Sequence, residues 1–302
     1  MLPPSTEPSP SARGRKALLD WYGPRRTTYP WRRGRADPYA VLVSEVMLQQ
    51  TQVSRVVPAF ESFMRRFPTA EVLAAASGGD VIRMWGRLGY QRRAVALHAA
   101  ARAIVRDHGG RVPRDPAALR SLPGVGDYTA SAVASIAFGR PVAAIDTNVR
   151  RIWARVAHGA EADEVPAARS RADATAWLDV RHPSAWNQAL MDLGREVCRP
   201  KPRCAACPLR PWCRFAAEGR VGRPSARPQA VFEGSLRQVR GSVVSLLRER
   251  AWTTVGRASS STGFPADRVT QAVSGLARDG VIEASPAALR GAPGGRISLP
   301  RS

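Results

Sequence analysis

Lysine is almost absent from this chain of 302 residues: only Lys16 and Lys201 occur, although lysine and arginine together number 46. Chemistry that runs through a lysine amine therefore has two candidates in the whole sequence. Acidic residues are also few, 24 aspartates and glutamates, and the formal net charge is +22. Base composition accounts for arginine over lysine but not for basic over acidic, and such a charge calls for a polyanion partner, nucleic acid first. No apolar run approaches the roughly 18 residues that a membrane span needs. Residues 1–15, rich in proline and serine, hold no apolar signal core and read as a disordered tail. The expectation is a soluble, cytoplasmic protein, nucleoid-associated if bacterial, with no membrane partner.

Cysteine is scarce too, and all four fall in CRPKPRCAACPLRPWC as Cys198, Cys204, Cys207 and Cys213, a C-x5-C-x2-C-x5-C spacing. Disulfides do not suit a chain without a signal peptide. Zinc held by four cysteines usually shows two C-x2-C pairs, whereas a cubane iron–sulfur cluster suits separated ligands, each iron taking its own cysteine. Cluster, zinc and free thiols all stay open at this point. Arg199, Lys201, Arg203, Arg210 and Arg214 crowd the same loop and present positive charge to a phosphate backbone.

The stretch LPGVGDYTAS, Leu122 to Ser131, puts two glycines ahead of a helical run. A dinucleotide fingerprint needs a third glycine and a preceding strand. Here position 129 is Thr, and DPAALRSLP reads as a helix with Asp115 at its N-cap and Pro116 at N1. No Gly-Lys-Ser/Thr follows, which excludes a P-loop. The element is helix, turn, helix.

Two carboxylates stand out. In DPYAVLVSEVMLQQTQ six of the eight residues from Val41 to Leu48 are apolar, and Glu45 is the only ionisable group among them. A helix apolar nearly all round is buried, and a carboxyl there has a raised pKa that suits a general acid. A structural glutamate paired with an arginine is the alternative. In AAIDTNVRRIW, Asp146 reads as the N-cap of the following helix, held rigidly with helix N-terminal amides favouring its ionised form. One neutral acid and one ionised carboxylate are the pair used at oxocarbenium-type glycosidic centres.

SEVMLQQTQV, GRLGYQRRAVALH, LPGVGDYTASAV, DTNVRRI, NQALMDLG and the four-cysteine loop occur in this order. Together they resemble the adenine DNA glycosylases of the MutY family, in the helix-hairpin-helix, Gly-Pro-Asp superfamily that includes endonuclease III. The resemblance covers about Leu18 to Phe215. It implies a mainly α, two-lobed helix-hairpin-helix glycosylase core at 16–215, with a six-helix lobe at about 38–139 and a 4Fe-4S lobe made of 16–30 plus 140–215. It also implies a monomer acting on double-stranded DNA with adenine opposite 8-oxoguanine or guanine, the adenine flipped into a cleft.

At matching positions the resemblance assigns roles. Glu45 protonates adenine N7 and assists water; Asp146 stabilises the cationic sugar or attaches to it transiently; Asn148 and Tyr128 complete the polar pocket. Arg32, beside Trp31, and Gln188 contact the flipped adenine. Gln50, Thr51, Leu88 and Tyr90 fill the gap and touch the opposing 8-oxoguanine. The amides of Gly124, Val125 and Gly126 approach a phosphate, and Cys198, Cys204, Cys207 and Cys213 hold the cluster. Tyr128 stands where strand-cutting relatives carry their lysine, so the expected enzyme is monofunctional and leaves the abasic strand intact.

The chain departs from the family in three places. The first cysteine gap is five residues rather than six, Asp146-Thr147-Asn148 replaces Asp-Gly-Asn, and no Nudix-like pattern follows the core. Instead a Pro/Gly/Arg linker is expected at 216–234, then a winged-helix-like α+β domain at 235–302. Its helices fall at Ser235–Arg250 and Ala266–Arg278, and its wing strands at Gly280–Glu283 and Arg296–Leu299. Rival functions are a thymine glycosylase for G·T mismatches or an endonuclease III-like enzyme, a non-catalytic DNA-binding protein, and an RNA-binding or transcriptional role for the C-terminal domain.

Overall fold

The structure, a computed structural model, describes residues 12–26, 29–33, 36–223 and 231–301. Among the described residues the chain runs α1 (Ala12–Tyr22), α2 (Pro38–Leu48), α3 (Val53–Arg66), α4 (Ala70–Ala75), α5 (Gly78–Trp85), α6 (Arg92–His108), α7 (Pro116–Arg120) and α8 (Asp127–Phe138). It continues with α9 (Thr147–His158), α10 (Ala167–Ala176), α11 (Pro183–Glu196) and α12 (Arg214–Ala217). The last segment is α13 (Leu236–Glu249), β1 (Trp252–Thr254), α14 (Val255–Thr262), α15 (Ala266–Arg278), β2 (Glu283–Ala284), α16 (Pro286–Leu289) and β3 (Arg296–Ser298). Several helices begin at the caps that the sequence supplies. The Asp115 carboxylate accepts from Ala118 N at 3.0 Å, and Asp146 accepts from Val149 N at 2.7 Å, each satisfying an otherwise orphaned amide. No helix among the described residues is long and apolar enough to cross a membrane.

The chain divides into two compact units. The first comprises the described residues of Met1–Glu45, Arg114–Ser121 and Val125–Arg227. Its core is built around tryptophan: Trp153 of α9 lies 4.4 Å from Trp177 and 6.4 Å from Trp186, ring centre to ring centre. Helix α11 is the hub, packing against α1, α8 and α9. Helix α1 buries Gly14, Leu18 and Tyr22, one residue per turn, and docks on α11. That stripe explains why the helix starts at Ala12, so residues 12–15 are helical rather than tail; residues 1–11 lie outside the described part.

The linker expectation also shifts. Residues 216–223 are bonded to the α9–α10 connection: Arg223 pairs with Asp163 at 2.9 Å and with Glu164 at 3.1 Å, and Arg220 with Glu164 at 3.2 Å. Only 224–230 of the expected linker lie outside the described residues. The helical hairpin α7–α8 falls in this first unit, where α8 packs its small apolar face on α11.

The second unit comprises Val46–Pro113, Leu122–Gly124 and the described residues of Pro228–Ser302. Helices α3 to α6 pack pairwise, α4 and α5 against α6 and α3 against α5. The C-terminal module pairs α13 with α15 through Val239, Val243, Val244 and Leu247 against Val269, Ala272, Val273 and Leu276, all buried. An antiparallel sheet of order β1-β3-β2 closes it, with Trp252 and Glu283 both opposite Ser298. The architecture is winged-helix-like, with two corrections. Val281 and Ile282 are core residues ahead of β2, not strand, and β1 with α14 supplies a strand and a helix that no sequence signal announced. Gly79 N donates to Pro300 O at 2.7 Å, tying the chain end to α5.

Leu18 is fully buried where α1 meets α11. Leu18→Ala is expected to lower stability by about 2–5 kcal/mol, read as a shifted midpoint in urea denaturation. An unchanged midpoint means that α1 does not dock.

Candidate active site

Seven consecutive residues of α2, Val41 to Met47, are buried, and Glu45 is the one acid among them, 5% exposed. Desolvation pushes its carboxyl up to about 7. The Asp146 charge adds to that rise, while a hydrogen bond from Tyr128 and the Arg32 cation oppose it. Burial and the carboxylates of Glu45 and Asp146 likewise push the Tyr128 phenol well above its usual range, so Tyr128 stays a neutral donor. Its hydroxyl also lies 3.7 Å from Met191 Sδ. Glu45, Tyr128, Asp146 and Arg32 therefore meet electrostatically in one unit, although α2, α8, the α9 N-cap and a short 3-10 turn at Pro30–Arg32 supply them.

Asp146 is held by more than its cap. Asn148 Nδ2 donates to Asp146 Oδ2 at 2.8 Å, and Arg151 Nη2 donates to Asn148 Oδ1 at 2.8 Å. Arg151 then reaches Cys198 O at 2.8 Å and Gly194 O at 2.9 Å. One turn further along α9, fully buried Arg155 pairs with Glu161 at 2.8 Å and donates to Arg199 O, to Pro200 O and toward Cys198 Sγ at 3.8 Å. A continuous chain of charge-assisted contacts thus runs from the Asp146 carboxylate to the backbone of the first cysteine. Gly194 leaves room for it, since a Cβ there would stand 2.7 Å from Asn148 Cβ.

The four cysteines line one pocket with Arg155, Leu193, Val197 and Phe215. Burial raises the thiols of Cys198 and Cys213 and pushes Cys207 up to about 12, each also raised by the other cysteines. The donor set fits a group that takes four separate thiolates: the thiols face a common space, and Arg155 stands by to stabilise negative sulfur. Among the described residues no three His, Cys, Asp or Glu side chains close tightly enough to hold a single metal ion.

Other expected residues have partners within the fold. Arg32 forms a two-pronged pair with Asp192, at 2.9 and 3.3 Å, and Arg195 reaches the same carboxylate at 3.0 Å. Both guanidiniums stack on Tyr29, which itself stacks on buried Trp31 at 5.1 Å. The Gln188 amide is engaged within the fold: its oxygen accepts from Tyr22 at 3.4 Å and its nitrogen donates to Ser184 O and Oγ. Asp192, Arg195 and Arg151 were missed from the sequence. Asp192 lies one turn after Gln188 on the same face of α11, a spacing that the quoted NQALMDLG already contained.

In the second unit, Gln50 and Tyr90 are the non-glycine residues with a left-handed backbone, at φ 54° and 49°. Such strain persists only where the surroundings enforce it. Arg93 does so: it donates to Val46 O and Met47 O at 2.9 Å and to Thr51 Oγ1 at 3.0 Å, and lies over the rings of Trp85 and Tyr90. Desolvation lowers its pKa to about 10. Leu88 is buried, and Tyr90 is 44% exposed. At the hairpin, Gly124 takes φ 75°, and a Cβ there would stand 2.5 Å from Ala96 Cβ. In the first unit Val125 is buried and Gly126 caps α8.

The model of the HhH-GPD superfamily of base excision DNA repair proteins matches residues 43–172. The chain is 42% identical over 273 residues to the adenine DNA glycosylase of Mycolicibacterium smegmatis, covering 88% of this chain and 91% of that protein. Residues up to Phe215 cannot supply such a share, so the match runs into the C-terminal module. It is 44% identical over 255 residues to the adenine DNA glycosylase of Mycobacterium tuberculosis, covering 81% and 83%. Among solved structures, a thermostable thymine-DNA glycosylase superposes with TM-score 0.62 at 29% identity, over 68% of this chain and 97% of its own.

The Glu45 shift has a consequence for stability. Its carboxyl ionises near 4.5 when unfolded and near 7 when folded. The folded state therefore carries no penalty below the unfolded value, an increasing one between the two, and a constant one above, about 3 kcal/mol at roughly 1.4 per pH unit. Glu45→Gln removes it. The variant's stability relative to the parent is expected to be lowest near pH 4 and to rise by about that amount by pH 8, in urea denaturation at each pH. A pH-independent difference contradicts the raised carboxyl.

Proposed function

This chain belongs to the HhH-GPD superfamily of base excision DNA repair proteins, among its adenine DNA glycosylases, and on that premise we propose that it excises adenine mispaired with 8-oxoguanine or guanine in duplex DNA. The observation that carries the reading is the Glu45 carboxyl, half protonated near neutrality, beside Asp146 in one unit. Glu45 delivers its proton to N7 of the flipped adenine, so the glycosidic electron pair leaves into a neutral base. The sugar becomes cationic at C1′, and the Asp146 carboxylate, fixed by Val149 N and Asn148, faces that charge. Ionised Glu45 then accepts a proton from the water that adds to C1′. Tyr128 holds Glu45 by its hydrogen bond and supplies no amine for a Schiff base. Lys16, paired with Asp20, sits exposed on α1, and Lys201 is exposed in the cysteine loop. The product is an intact strand with an abasic site.

Cys198, Cys204, Cys207 and Cys213 hold a 4Fe-4S cluster in this reading. When bound, the group supplies a rigid, thiolate-linked clip for the loop, and Arg151 and Arg155 tie that loop to α9. Cys204→Ser is expected to lower iron content and visible charge-transfer absorbance, and with them thermal stability; full iron retention argues against Cys204 as a ligand.

The function is tested on duplexes bearing adenine opposite 8-oxoguanine, adenine opposite guanine, and thymine opposite guanine, each followed by hot alkali. Alkali-dependent breaks at adenine are expected in the first two; breaks only at thymine, or none, overturn the reading. Above pH 7 the single-turnover rate is expected to fall about tenfold per pH unit as Glu45 ionises. Glu45→Gln is expected to slow excision by roughly 10²–10⁴-fold and to remove that limb.

A further inference from the structure

The second unit contains a groove of about 960 Å³ between the loop after α5 and the outer face of α13. Seven arginines and no acidic side chain line it. Arg55, Arg87 and Arg92 stand on one wall, with Arg237, Arg240 and Arg248 on the other. Each wall also carries an exposed aromatic ring, Tyr90 at 44% and Phe232 at 57%. Asp279, at the end of α15, binds Arg92 at 3.5 Å and Arg240, offsetting one charge of the set and holding the walls together. Arg248 Nη1 adds a bond to Gly86 O at 3.0 Å. A basic channel edged by aromatic rings is the chemistry of a nucleic-acid strand.

The helix that a helix-turn-helix normally lays in the major groove is the second of its pair, here α15 after α14. Its first turn carries Asp267, which repels phosphate. Its Arg268 is spent on Gly234 O at 2.9 Å, where it steadies the strap that leads into α13. We propose that the C-terminal module grips substrate DNA through α13 rather than α15, with the DNA backbone in this basic groove. This rests on the excision reading for the identity of the duplex.

The test uses the full chain and a duplex with non-cleavable 2′-fluoro-adenosine opposite 8-oxoguanine, footprinted by hydroxyl radicals with either strand end-labelled. The wild-type chain is expected to protect a stretch of backbone flanking the mispair. Arg237→Glu combined with Ser245→Glu is expected to erase that protection and weaken binding at least tenfold, with a shallower salt dependence. Arg237→Lys retains both, which separates lost charge from lost fold, and Gln271→Glu on α15 binds within twofold of wild type. Flanking backbone left unprotected, or a larger loss from Gln271→Glu than from the α13 pair, overturns the proposal. Excision is scored separately on the cleavable duplex: its absence overturns the enzymatic reading and leaves the footprint to decide the groove.

Discussion

Burial of Glu45 in an apolar turn of α2 sets the requirements that its surroundings meet. Desolvation favours the protonated carboxyl, and so does the nearby Asp146 charge; the Tyr128 hydrogen bond and the Arg32 cation pull the other way. The balance near 7 is what a group needs if it is to give a proton and then take one at neutral pH. Removing either opposing contact raises it further. The Arg32 cation is itself buried, and Asp192 makes that tolerable by accepting both of its prongs, with Arg195 sharing the carboxylate. The ionisation of Glu45 is therefore coupled through Arg32 to a buried ion network built on α11.

Helix α9 performs the second organising task. Its N-cap is Asp146, and Asn148 and Arg151 within its first turns carry the hold on that carboxylate to the backbone of Cys198. Arg155 extends the same helix into the cysteine loop. The cysteine loop and the Asp146 carboxylate thus share one element, and Arg151 and Arg155 link its two ends. In the second unit Arg93 plays a comparable part, holding carbonyls at the end of α2 and enforcing the left-handed backbones of Gln50 and Tyr90.

The candidate residues for the chemistry were the legible ones. A lone acid in an apolar helix, an aspartate ahead of a helical run, a two-glycine turn and a tight group of cysteines each break a local pattern, and a broken pattern is visible in a sequence. The supporting arginines were not visible. With 46 basic residues nearly all arginine, nothing local distinguishes Arg93, Arg151 and Arg155, whose importance lies in contacts some 40 residues or more away along the chain. Gln188, a polar residue expected to meet a ligand, also has partners within the fold, Tyr22 and Ser184, that the sequence did not announce. In the C-terminal module, α13 and α15 show apolar periodicity and were placed well. Strand β1 is three residues long and α14 is rich in serine; both owe their structure to packing rather than propensity.

The central claim is that a buried, nearly neutral Glu45 is poised by Tyr128. It is tested most directly by following the Glu45 side-chain carboxyl by carbon-13 NMR across pH in the wild-type chain and in Tyr128→Phe. The account predicts a midpoint of about 7 in the wild type and a higher one once the phenolic donor is removed. A midpoint at the ordinary glutamate value, or one that Tyr128→Phe leaves in place, contradicts it.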